Sequence, residues 1–132
     1  MVFLFLTPTF LSLSTSTPVG SSDNFACQVM RVTPPNGSTF NARDDFDVVW
    51  TVTNVGKRQW DRSEVDYVYS SGDKFHVISG YDLAKHVPVG GTIDLIANMR
   101  APKGMGTYHT TWTLRRGSRT FCPLTLTIVV RE

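Results

Sequence analysis

Trp50-Thr51-Val52-Thr53-Asn54-Val55-Gly56 and, fifty residues on, Gly106-Thr107-Tyr108-His109-Thr110-Thr111-Trp112-Thr113-Leu114 decide the fold. Alternate residues of a strand share a face, so Phe46, Val48, Trp50 and Val52 form one stripe and Tyr108, Thr110, Trp112 and Leu114 another. Two such stripes need a common core, which places Trp50, Tyr108 and Trp112 in it. Ile93, Leu95, Ala97 and Met99 repeat the pattern, and Leu124, Leu126, Ile128 and Val130 close it.

Between the stripes the chain is punctuated by Gly, Pro, Asn and Asp, with no sustained helical period. Strands are predicted near 27–33, 38–42, 45–54, 64–70, 75–79, 92–100, 107–115 and 120–130. Pro34-Pro35-Asn36-Gly37 is where the first strand is expected to break and change sheets. Arg115-Arg116-Gly117-Ser118-Arg119 reads as a hairpin tip. Seven to nine strands in about 105 residues is the size of an all-β, immunoglobulin-like β-sandwich.

The chain resembles the four-tryptophan (FW) domain of the neighbour-of-BRCA autophagy cargo receptors, which is also found in many bacterial proteins. The resemblance runs from about Cys27 to Val130. It rests on Trp50, Asn54 and Gly56, on Trp60, on Ser71-Gly72-Asp73, and on Ala101-Pro102 followed by Gly106-Thr107-Tyr108. Trp112-Thr113-Leu114 and Phe121 complete it, and Phe121 joins the expected core. A further tryptophan expected in the last strand is replaced by the leucines of Phe121-Cys122-Pro123-Leu124-Thr125-Leu126. The resemblance implies the sandwich and a binding-module role, without a cargo-receptor role.

At 132 residues, 41% of them apolar, the chain has room for one domain and a substantial core. Lys and Arg outnumber Asp and Glu by only 13 to 11, a balance that generates no long-range field for nucleic acid or an anionic membrane. Residues 1–22 read as a signal-peptide-like segment with a Ser/Thr-rich linker, and 23–132 as the domain. The apolar run from Met1 to Leu13 is too short to span a bilayer. Cleavage is expected after Ser21, although no basic residue precedes Arg31. The alternative, a lipid on Cys27, lacks the usual aliphatic residue three positions upstream. An extracytoplasmic location, secreted or at a bacterial cell surface, is therefore expected. Cys27 and Cys122, which open the first and last strands, suit one disulfide there, the alternative being two buried thiols.

No nucleophile elbow, zinc-protease helix or phosphate-binding loop occurs, so no enzyme and no cofactor are expected. His76, His86 and His109 lack metal-ligand spacing, and Asp44, Asp45, Asp47 and Asp73 lack a calcium-loop signature. Glu64 with Asp61 or Asp66 would need a cleft to act as a glycosidase pair. Asn36-Gly37-Ser38 matches an N-glycosylation acceptor. Trp60, set among polar residues, reads equally as a lid on the sandwich or as a contact residue. The expected binding surface comprises Trp60, Phe75, His76 and Tyr81, for a protein partner of unknown identity. A carbohydrate-binding module using Trp60 with Tyr67, Tyr69 or Tyr81 is the alternative, and the outward face bearing His109, Thr111 and Thr113 is the next candidate surface.

Overall fold

The computed structural model describes residues 24–131. The expected signal segment at 1–22 lies outside them. Eight strands run β1 Cys27–Thr33, β2 Ser38–Asn41, β3 Asp45–Asn54, β4 Val65–Gly72, β5 Gly80–Asp82, β6 Thr92–Arg100, β7 Gly106–Arg116 and β8 Arg119–Arg131. They form one sheet in the order β1-β3-β6 and a second in the order β2-β8-β7-β4-β5. The fold is an all-β immunoglobulin-like sandwich.

The sheet change at Pro34-Pro35 occurs as expected: β1 is antiparallel to β3, whereas β2 runs parallel to β8 in the other sheet. One predicted strand differs. Residues 75–79 form no strand, because the segment is divided between the sheets. Arg100 donates its N–H to the Phe75 carbonyl and Val77 donates to Asn98, which ties the first half to β6. Tyr69 then donates to the Ser79 carbonyl, and Gly80–Asp82 pairs with β4 across the sandwich.

The inward stripes meet as the alternation requires. Val48, Trp50 and Val52 lie in register with Ala97, Leu95 and Ile93, and all are buried against Trp112, Leu114, Leu124, Leu126 and Ile128. Trp50 and Trp112 sit 6.0 Å apart between ring centroids. The Trp50 indole also donates to the Thr125 carbonyl of the facing sheet at 2.8 Å, satisfying a donor that would otherwise be buried without a partner. Tyr108 is only half-buried; its hydroxyl donates to the Gly104 carbonyl at 2.7 Å.

Cys27 and Cys122 are bonded, with Cα atoms 5.5 Å apart and both residues fully buried. Their strands belong to different sheets, so the bridge joins the two layers and does not link hydrogen-bonded neighbours.

Candidate interaction surface

Asn54 and Gly56 organise one end of the sandwich. The buried Asn54 amide donates to the Arg58 and Val87 carbonyls at 2.9 and 3.0 Å and accepts from the Gly56 N–H at 3.0 Å. Asn24 packs directly on Gly56: a Cβ there would stand 2.4 Å from the Asn24 carbonyl oxygen, so only glycine fits. The next turn delivers Trp60, which exchanges two 2.9 Å backbone hydrogen bonds with Val87. That pairing leaves the neighbouring Lys57, Arg58 and Gln59 in solvent and turns the indole inward, edge-on to Phe121 at 5.6 Å.

Trp60 is therefore fully buried and Phe75 is 4% exposed, which corrects their expected role as contact residues. By themselves the polar neighbours of Trp60 leave a lid and a contact residue equally open, and burial favours the lid. Strand pairing with Val87, 27 positions away, decides between them. Phe75 is drawn in by its backbone bond to β6 and meets Tyr108 edge-on at 6.4 Å.

His76 and Tyr81 are half-buried. The His76 imidazole stands edge-on to Trp112 at 5.6 Å, and burial followed by the nearby Lys74 charge holds it below the usual histidine range. Tyr81 stacks on Tyr67 at 5.3 Å and on Trp112 at 6.0 Å, while its hydroxyl accepts from the Asn98 N–H at 3.1 Å. Tyr67 is buried, which pushes its phenol above the usual tyrosine range. The Tyr69 hydroxyl donates to the Gly72 carbonyl. These rings face inward, so the planar exposed platform that a carbohydrate module would need is not formed by Trp60, Tyr67, Tyr69 and Tyr81.

The large hydrophobic side chains that the segment from Ser70 to His86 exposes are aliphatic. Val77 and Ile78, at the crossing between sheets, are 55% and 51% exposed. They adjoin a cleft of about 500 Å³ bordered by Ile78, Ser79, Gly80, Asp82, Val68 and the Asp66–Arg115 pair. Arg115 grips Asp66 through two bonds of 3.2 and 3.0 Å, a charge-assisted fork that raises the guanidinium's affinity for its proton. Glu64 likewise receives Arg116 at 3.1 Å. The acidic residues considered as a glycosidase pair and the arginines of the hairpin thus hold each other along β4 and β7. The division of the segment between the two sheets is what leaves both side chains outside.

The alternative face is also altered. Thr113 is buried, because the register shift between Thr113 and Leu114, opposite the positive φ of Cys122 (68°), turns its hydroxyl toward the Phe121 carbonyl at 2.9 Å. His109 remains outside, bonded to the Thr127 hydroxyl at 2.7 Å. Among the described residues no three His, Cys, Asp or Glu side chains converge as metal ligands, and no helix is long and apolar enough to cross a membrane.

Two facing sheets, a disulfide joining them and aromatic rings consumed in the core define an immunoglobulin-like domain, a class that suggests a protein-interaction module. The family model for the Ig-like domain from next to BRCA1 gene matches residues 33–130, and the chain belongs to that family. Comparison with curated proteins gives no match.

Proposed function

We propose that this domain is a non-catalytic protein-interaction or spacer module of an exported protein, and that it meets its partner through the crossing segment at Val77 and Ile78 and the adjoining cleft. The observation that carries the reading is the exposure of two consecutive large aliphatic side chains, 55% and 51%, on a segment anchored at both ends by backbone bonds to opposite sheets. A rigidly held apolar pair beside a polar cleft is the arrangement that recognises a protein surface, with a small desolvated centre and a polar rim. Export is supported by the sheet-joining disulfide, since such bonds persist in oxidising compartments.

The test is affinity capture with the full chain followed by the Val77→Asp/Ile78→Asp variant. Both positions are exposed, so melting should be unchanged while a captured partner is lost. Retention of the same partner by the variant would rule this surface out. Fractionation of the native host for the oxidised protein tests the location separately.

A further inference from the structure

At the end of the sandwich away from the β7–β8 hairpin, three connections converge. Arg43, in the turn between β2 and β3, donates its N–H to the Ala101 carbonyl at 3.1 Å, and Ala101 returns a bond to the Asp44 carbonyl at 2.8 Å. Arg100 donates its N–H to Phe75 at 2.8 Å, which fixes the third connection. Together they enclose a cleft of about 340 Å³ with Arg43, Lys74, Arg100 and Lys103 at its margin and Phe75 and Pro102 in its wall.

The cleft is lined by four cations and no carboxylate. Asp45 holds Arg100 at 2.9 Å. Asp44 and Asp73 accept from the neutral Asn41 and His109 N–H groups, each at 2.9 Å, and so keep their charge, but neither lines the cleft. Arg43, Lys74 and Lys103 are exposed and, among the described residues, have no carboxylate partner. The Lys74 ammonium lies 5.9 Å over the Tyr69 ring, which directs it without neutralising it.

Arg43 adds an independent observation. Its φ is 65°, a left-handed conformation that a long side chain adopts at a cost and that glycine or asparagine would take readily. The turn thus holds an arginine where glycine or asparagine would cost less. The backbone N–H groups of Arg43, Arg100 and Ala101 are spent on the carbonyls of Ala101, Phe75 and Asp44, so no cradle of amides awaits a single tetrahedral anion. Three side-chain cations spread along an open cleft suit several carboxylates in succession.

We infer that this cleft is a docking site for an acidic peptide segment of a protein partner, with Arg43, Lys74 and Lys103 as the charge-reading residues. The inference rests on the interaction-module reading but uses a different surface from Val77 and Ile78, so the two can fail separately. Binding should depend on salt, because it draws on exposed charges.

Fluorescence anisotropy of a labelled ten-residue glutamate peptide with the intact chain tests it. At low salt the expected result is saturable binding that weakens at least tenfold in Arg43→Ala/Lys103→Ala and less than twofold in Arg62→Ala/Arg119→Ala, which removes the same two charges at the opposite end. Arg43→Gly should lose affinity while melting no lower than the parent, since it relieves the left-handed arginine. Equal losses in the two double variants, or no loss in either, would overturn the site. A sharp fall in melting temperature for Arg43→Gly would show that the arginine is held for folding and would remove the strain argument. Saturable displacement of the peptide by inorganic phosphate at equimolar concentration would replace the acidic peptide with a single-anion ligand. Unchanged capture by Val77→Asp/Ile78→Asp alongside intact peptide binding would discard the crossing surface and keep this one.

Discussion

The Tyr67 hydroxyl makes two hydrogen bonds to a single residue of the opposite sheet, accepting from the Ile96 N–H at 3.2 Å and donating to the Ile96 carbonyl at 2.7 Å. Tyr81 serves Asn98 one pair further along the same edge. The outer edge of β6 would otherwise present unpaired backbone groups where no strand lies beside it. Side chains from one layer thus finish the hydrogen bonding of the other.

Tyr67→Phe is expected to lower stability by about 1–3 kcal/mol, since it keeps the packed ring but leaves both Ile96 backbone groups without their partner. Urea denaturation measures it. A loss near zero would mean that water replaces the hydroxyl at that edge.

Trp112→Ala and Trp60→Ala should each cost about 3–5 kcal/mol, the range for removing a large aromatic from a packed interior. Both indoles are fully buried. Thermal melts decide the matter. An unaffected Trp60→Ala would return that residue to the surface.

Mass analysis without reduction should find no free thiol in the folded domain. The bridge spans 95 residues of sequence, so the loop-entropy relation gives it a contribution of about 4–5 kcal/mol as an upper figure. Chemical denaturation with and without reductant should therefore differ by more than for any single surface change.

His76 makes stability depend on pH in a defined direction. Its folded-state pKa lies below the ordinary value of 6.5, so as pH falls through 6.5 the unfolded chain takes up a proton before the folded one does. Stability should be insensitive to His76 above about pH 7 and decline below 6.5 until the folded imidazole protonates. Proton NMR titration of the ring should place its midpoint below the ordinary histidine value of 6.5. His76→Gln should flatten that part of the profile.

The strands were legible because their core faces follow a period of two. Ile93, Leu95, Ala97 and Met99 could be assigned inward from sequence, and all are buried. The site was much less legible. Trp60 and Val87 decide each other's orientation through a bridge that no local pattern announces. Val77 and Ile78 resemble strand interior, yet their segment serves two sheets in turn. The Arg43 cleft depends on three connections meeting in space, and its strongest local sign, a left-handed arginine, is a backbone property that side-chain order does not display.

The sheet-joining disulfide also determines how the domain would carry tension. A pull applied just before Cys27 and just after Arg131 passes through the sulfur–sulfur bond, leaving the 95-residue loop between the cysteines outside the loaded path. Only the part of β8 beyond Cys122 then lies in the loaded path, and as a strand it is already close to full extension, whereas the reduced chain could extend by roughly 300 Å at about 3.3–3.6 Å per residue. In an exported spacer, oxidation would make this domain a nearly inextensible link, and loss of the bond would turn it into a long slack tether.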